Sequence, residues 1–195
     1  MTAQEAEWEL SALAARAAQD EPEAKAELLA RVRPMVVRYC RSRLGLTGGG
    51  AWTTADDVAQ EVCLAVLTAL PRYRDLGRPF SAFVFGIASH KVTDAHRGAS
   101  RDQSQPMAIV PDIATGDRGP ESQALAADAA RQVHALLDTL PPHQREVLRL
   151  RIAVGLTAEE TGRVLDMSPG AVRVTQHRAL ARLRQRAAEA DEVPA

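Results

Sequence analysis

One stretch of this 195-residue chain leaves few folds open to it. Leu156 to Arg186 reads LTAEETGRVLDMSPGAVRVTQHRALARLRQR, with two helix starts in close succession. Thr157 and Glu160 have the spacing of a capping box, in which hydroxyl and carboxylate satisfy each other's backbone N–H groups. A short helix should therefore run to Leu165. Asp166 and Met167 make the turn. Ser168 is then a second N-cap, and Pro169 takes the first helical position, where its missing N–H costs little. Gly162 lets the two helices approach, and Val164, Leu165, Met167 and Val172 close the small core between them. Along the second helix Val172, Ala179, Leu180 and Leu183 recur at helical spacing and point inward. The pattern predicts a helix-turn-helix.

What that second helix turns outward is Gly170, Ala171, Arg173, Val174, Gln176, His177 and Arg178, followed by Arg182, Arg184 and Arg186. From Arg163 to Arg186 there are six arginines against Asp166 alone. The whole chain, with 24 Lys+Arg and 25 Asp+Glu, has a net charge of -1. A local basic helix in a neutral chain is the electrostatic footprint of a duplex-binding surface. The major groove admits one helix, whose first two turns reach base edges while flanking cations meet phosphates. Arg173, Gln176 and His177 are the candidate base readers.

The rest of the chain is also helical in period, and no segment alternates as a strand would. Apolar residues recur at helical spacing in Leu10–Ala18, Leu28–Leu44, Ala55–Leu70 and Phe80–His96. The third stretch has Thr54 as N-cap, Asp56 and Asp57 in its first turn and Pro71 at its stop. Its predicted core face is Val58, Val62, Ala65, Val66, Ala69 and Leu70, which leaves Asp57, Gln60, Glu61 and Leu64 on the opposite face. Between Gly98 and Gln123 three prolines, three glycines and the lack of a sustained period mark a flexible linker. The chain divides into residues 1–98, a linker over 99–124, and residues 125–195. All seven aromatics precede the linker, so the second block must build an aliphatic core. Leu125, Ala129, Val133, Leu136, Leu137 and Leu140 give the inward row of its first helix, Pro141 and Pro142 end it, and Gln144–Ile152 starts the next.

Several function classes are excluded. Cys40 and Cys63 stand far apart, outside any Cys-x-x-Cys pattern, and the five histidines form no ligand-spaced pair, so neither a disulfide framework nor a metal site is expected. Thr47–Gly50 is glycine-rich but lacks the following Gly-Lys-Ser/Thr of a phosphate loop. The acidic N-terminus has no apolar region behind it, and Cys63–Leu70 falls short of a membrane span. A cytoplasmic protein is the default. An enzyme using Asp56, Asp57 and Glu61 is a poor fit, since the adjacent aspartates face different sides of one helix. A ligand-sensing DNA-binding regulator remains open, although the first block lacks the strand–helix alternation of a receiver domain.

Taken in chain order, these segments resemble a bacterial RNA polymerase sigma factor of the extracytoplasmic-function (ECF) group of the sigma-70 family. DDVAQEVCLAVLTALPRYR (Asp56–Arg74) resembles the family's polymerase-clamp-binding helix. PFSAFVFGIASHKVTDAHR (Pro79–Arg97) resembles its promoter-melting and minus-ten segment, and LPPHQREVLRLRIAVGLTAEETGRVLDMSPGAVRVTQHRALARLR resembles its minus-thirty-five-binding domain. The resemblance implies an all-α fold of two helical domains, sigma region 2-like and sigma region 4-like, joined by a flexible linker. It implies a transcription initiation factor with no catalysis, no cofactor and no metal. Its partners would be the RNA polymerase core, through the beta-prime clamp and beta flap, and promoter DNA. An anti-sigma factor, common in the group, is a further candidate.

By the same resemblance Asp57, Gln60, Glu61 and Leu64 are expected to contact the polymerase core. Arg72, Tyr73, Arg74, Phe85, His90, Lys91 and Arg97 are expected at the minus-ten DNA, where a loop matching Arg72–Pro79 would capture a flipped base. Phe80 and Phe83 lie nearer the apolar face and are assigned to the core. Ser168, Ala171, Arg173, Val174, Gln176, His177, Arg178 and Arg182 are expected at the minus-thirty-five DNA.

Overall fold

Apolar side chains spaced by four residues build the first block. The computed structural model describes residues 3–45, 53–74, 77–102, 129 and 131–191. Its elements there are α1 (Ala3–Ala18), α2 (Pro22–Leu44), α3 (Ala55–Ala69), a 3-10 turn (Leu70–Arg72) and α4 (Phe80–Asp102). Leu28, Val32, Val36 and Cys40 of α2 face Val58, Val62, Val66 and Leu70 of α3 with its turn, and Phe80, Val84, Ala88 and Val92 of α4. All twelve are at most 2% exposed. A four-residue interval keeps each row on one helix face, and burying each such side chain contributes about 1.5–3 kcal/mol relative to exposure. α3 begins as expected: Thr54 Oγ1 accepts from Asp57 N at 3.1 Å while Asp57 Oδ2 accepts from Thr54 N at 2.9 Å. Glu7 of α1 accepts from the Ser81 N–H at 3.1 Å, satisfying one of the orphan donors at the start of α4.

α4 continues to Asp102, past the expected end of the first block at residue 98. The rest of the linker, the Thr47–Gly50 loop, Trp52 and Leu125 lie outside the described residues.

The second block contains α5 (131–138), α6 (Pro142–Leu148), a π-helical segment (Arg149–Val154), α7 (Ala158–Leu165) and α8 (Pro169–Asp191). The helix expected over Gln144–Ile152 is thus split between α6 and the π segment, which closes at Gly155 with φ +89°, a left-handed conformation that favours glycine. Leu140, Leu148 and Ala179 form one aliphatic centre with Leu137, Leu180 and Leu183; Val147, Ala158 and Val172 form another with Leu165 and Met167. Val133 corrects the predicted inward row of α5: it is 54% exposed.

The two blocks pack together. Leu150, Val154 and Leu156 belong to the same apolar core as α2, α3 and α4. A polar cluster lines the seam beside them. Tyr39 donates its hydroxyl to Glu146 Oε1 at 2.6 Å, and Arg43 Nη1 donates to Glu146 Oε2 at 3.2 Å. Arg38 Nε donates to the Val154 carbonyl at 3.1 Å. Arg149 is buried in the seam, 3.6 Å from Glu146. Sequence periodicity assigned Leu150 and Val154 to no partner, because it cannot tell a block's own core from a neighbour's.

Candidate nucleic-acid interface and a second exposed face

The turn between α7 and α8 is set by a few residues. Thr157 Oγ1 accepts from Glu160 N at 3.1 Å and Glu160 Oε2 accepts from Thr157 N at 2.6 Å, so the capping box starts α7 where it was expected. Asp166 ends it in a left-handed conformation, φ +57°, and Met167 N donates back to Gly162 O at 2.8 Å. A Cβ on Gly162 would stand 2.4 Å from the Met167 carbonyl oxygen, so only glycine fits beneath this turn. Ser168 Oγ then accepts from Ala171 N at 3.1 Å, and α8 begins at Pro169. Twenty-three residues give α8 a length of about 35 Å.

Val172 and Ala179 are buried beneath α8, while Ser168, Ala171, Arg173, Val174, His177, Arg178 and Arg182 are exposed along its outer side. Gln176 differs. It is half-buried, and its Oε1 accepts from Arg151 Nε at 2.9 Å, so its amide oxygen is turned into the protein. Arg151 also donates through Nη1 to the Leu156 carbonyl, which ties the π segment to α8. Arg173 is held as well: its Nη2 meets Glu159 Oε1 of α7 at 2.5 Å. The Glu159 carboxyl is pulled below its ordinary value by its own backbone N–H and by the Arg173 charge. Glu159 and Arg151 were missed in the sequence. Nothing in their spacing announces them, because each acts across a turn that only the fold closes.

On the first block, Asp57, Gln60, Glu61 and Leu64 all lie exposed on one side of α3, with Leu64 57% exposed. Asp57 is committed in part to its own helix cap, and hydrogen bonds from Thr54 hold its carboxyl below the ordinary value. Glu61 accepts from Lys91 Nζ of α4 at 3.1 Å. A shallow groove with Leu64, Ala65, Thr68 and Ala69 in its floor therefore has Glu61, Lys91 and Arg72 around it. It joins two residue sets that the sequence kept apart.

The residues expected at minus-ten DNA divide. Arg72, Arg74, His90 and Arg97 are exposed, and Lys91 is half-buried. Phe85 is a correction: it is 3% exposed, with its ring centroid 5.4 Å from that of Tyr39, and its packing on α2 leaves no face for a base. Tyr73 is half-buried against Phe80 and Phe83, at centroid distances of 5.2 and 5.0 Å, so those two rings are core or near-core as expected. Cys40 is buried and its thiol pushed up to about 12 by burial, so it is held as an inert thiol. Among the described residues no group of three His, Cys, Asp or Glu could hold a metal ion, and no helix is long and apolar enough to cross a membrane.

Residues 28–102 match the family Sigma-70 region 2, and residues 136–185 match Sigma-70, region 4. The chain is 54% identical over 175 residues to the ECF RNA polymerase sigma factor SigD of Mycobacterium tuberculosis, covering 90% of this chain and 82% of that protein. It is likewise 54% identical over 178 residues to the ECF RNA polymerase sigma factor ShbA of Streptomyces griseus, covering 90% and 93%. Among solved structures it resembles CnrH in complex with the cytosolic domain of CnrY, with a TM-score of 0.61 and 30% identity over 92% of this chain and 97% of that one.

Proposed function

The chain belongs to the sigma-70 family of RNA polymerase sigma factors, in its ECF group, and from that premise we propose how its two exposed faces divide the work. It is a transcription initiation factor that directs RNA polymerase to promoters, and it is not an enzyme. The finer reading is that α3 docks on the polymerase core while α8 reads the minus-thirty-five element. The residues around the 3-10 turn and along α4 then engage the minus-ten element and assist melting. Residues 1–98 and 125–195 are the two functional domains in this reading.

The observation that carries it is the exposed, arginine-bearing outer side of α8, set on two capped helices whose turn tolerates only glycine at 162. A helix so presented fits the major groove, with Arg178 and Arg182 placed for phosphates and the earlier turns for base edges. Leu64 supports the docking half. It is 57% exposed and continues with Ala65 and Ala69 into an apolar groove floor edged by Glu61, Arg72 and Lys91, an apolar centre with a polar rim as protein-docking surfaces have. Melting requires a base to leave the stack, which costs a few kcal/mol and needs a receiving surface. With Phe85 in the core, that surface would come from Arg72, Tyr73 and Arg74 with His90 and Lys91. CnrH is solved in complex with the cytosolic domain of CnrY, and a protein partner of the anti-sigma kind is a fitting further partner for this chain.

Run-off transcription with purified core polymerase and a promoter library tests this reading. Promoter-specific transcripts that need the protein are expected. Arg173→Ala should weaken promoter choice, and Gln60→Ala/Glu61→Ala should weaken core binding. Specific duplex binding by the protein alone, with no core binding and no transcript, would return the chain to the class of conventional DNA-binding regulators.

A further inference from the structure

Two polar side chains near the start of α8, Arg173 and Gln176, are each held by a residue from outside that helix. We infer that these holders, Glu159 and Arg151, are specificity-determining positioning residues that make Arg173 and Gln176 donor-only readers of guanine- or thymine-type edges in the minus-thirty-five element. The inference rests on the reading of α8 given above.

An unheld arginine on a basic helix approaching DNA goes to the nearest phosphate, where the charge density is highest. Arg173 is 61% exposed and otherwise able to do so. Glu159 prevents it. Its carboxylate, fixed in the first turn of α7 by its own backbone N–H, takes the Arg173 Nη2 at 2.5 Å. It also places a negative charge beside the groove, which repels phosphate oxygens. The guanidinium carries five N–H donors and uses one, so its outer edge keeps a pair of parallel donors. The partner for such a fork is guanine, with O6 and N7 as adjacent acceptors.

The second holder works by excluding one choice. An arginine has no acceptor, so the contact from Arg151 Nε at 2.9 Å fixes which end of the Gln176 amide faces inward: the oxygen. What remains for the groove is the NH₂ group. A glutamine reads adenine by donating to N7 while accepting from N6, and Gln176 in this arrangement has lost the acceptor. It can donate to guanine O6 or N7 or to thymine O4, while adenine keeps only a single bond at N7 and loses the paired contact at N6 that would favour it. Arg151 is itself braced by its bond to the Leu156 carbonyl, so it does not follow the amide outward. Both side chains therefore present donors only.

The test uses the full chain with core polymerase and run-off transcription from promoters carrying every single-base change in the minus-thirty-five element. The expected wild-type profile favours guanine at one position and guanine or thymine at a neighbouring one. Glu159→Gln should cut discrimination at the first position about tenfold while total transcription changes little. The salt slope of holoenzyme binding should steepen by about one phosphate contact as Arg173 is released. Arg151→Met should raise adenine at the second position. Glu159→Asp keeps the charge and its place at the helix start but withdraws the carboxylate by one methylene, so it should act as Glu159→Gln does and covers the case in which that variant folds poorly. In an Arg173→Ala background Glu159→Gln should have no further effect on base preference.

Uniformly weaker transcription with an unchanged base profile in both Glu159 variants and in Arg151→Met would overturn the inference, since that is what a purely structural tie predicts. Failure of the wild-type chain to direct core polymerase to any promoter would instead overturn the reading on which it rests.

Discussion

Arg149 is a charged side chain that the fold would do better without. It is 7% exposed in the seam between the two blocks, its Nε has no hydrogen-bond partner among the described residues, and its nearest acid, Glu146, stands 3.6 Å away. Burial, and the like charge of Arg43, lower its value from the ordinary guanidinium range to about 10. A drop of that size corresponds to about 3 kcal/mol spent in keeping the guanidinium charged at neutral pH. Arg149→Leu removes that penalty and offers an apolar side chain to a seam already lined by Leu150 and Val154. Glu146 is not orphaned, because Tyr39 and Arg43 still hydrogen-bond it. Some packing of the arginine stem is lost, so the expected net gain is about 1–2 kcal/mol, or roughly 2–8 °C in Tm for a chain of this length.

Urea unfolding at several pH values checks both the size and the cause. The folded value of Arg149 lies below the unfolded one, so between about 10 and the ordinary arginine value the unfolded chain binds the extra proton and wild-type stability gains with rising pH from this group. The gain is complete above the unfolded value and is lost as pH falls through the folded one. Arg149 also bears on the titrations of His96 and Tyr39, but the folded values of those two lie below and above this window. The advantage of Arg149→Leu should therefore hold up to about pH 9 and shrink as pH rises through 10 and beyond. A variant less stable than wild type by 1 kcal/mol or more, or an advantage independent of pH, would refute the argument.

Three further outcomes follow from the same structure. Tyr39→Phe should cost about 1.5–3 kcal/mol in urea unfolding by removing a charge-assisted bond to Glu146. The phenol's own value is raised, chiefly by burial, so the stability it contributes is full below pH 10 and declines as pH rises beyond it. Gly162→Ala should destabilise the second block by about 2 kcal/mol or more, because the new Cβ meets a backbone oxygen that cannot step aside, and minus-thirty-five discrimination should fall with it. Leu64→Asp should leave the unfolding free energy within about 0.5 kcal/mol of wild type, as expected for a change at an exposed position, yet abolish co-elution with core polymerase.

The helix-turn-helix was legible because its signals are local. Thr157 with Glu160, Ser168 with Pro169, and Gly162 each act within a few residues, and each takes its predicted part in the structure. The faces of α3 were legible for a related reason, since Val58, Val62 and Val66 recur on one side and Leu64 interrupts the other. What escaped was decided at long range. Phe85 sits among exposed candidates in α4, and only the approach of Tyr39 from α2 makes it interior. Leu150, Val154 and Leu156 have the spacing of an ordinary core row, and no periodicity says that their core belongs to the other block. The holders Glu159 and Arg151 reach across the turn to α8, a juxtaposition created by the fold.

The pairing of charges around α8 also bears on why such a chain needs the polymerase. Six arginines between residues 163 and 186 suggest a strong DNA binder, but Arg173 is engaged by Glu159, Arg186 by Glu189, and Arg163, half-buried in α7, donates to the Glu159 carbonyl. Arg178, Arg182 and Arg184 have no acid partner among the described residues and are exposed. Three phosphate contacts give a salt slope of about -3, which loses roughly 40-fold in affinity between 50 and 200 mM salt. A domain with that little electrostatic affinity reaches a promoter at physiological salt only when a second attachment raises its local concentration, which is the part proposed above for the exposed face of α3. The weakness of the reader and the presence of a separate docking face are thus two sides of one design: pairing Arg173 inward lowers general affinity while leaving its outer edge for a base.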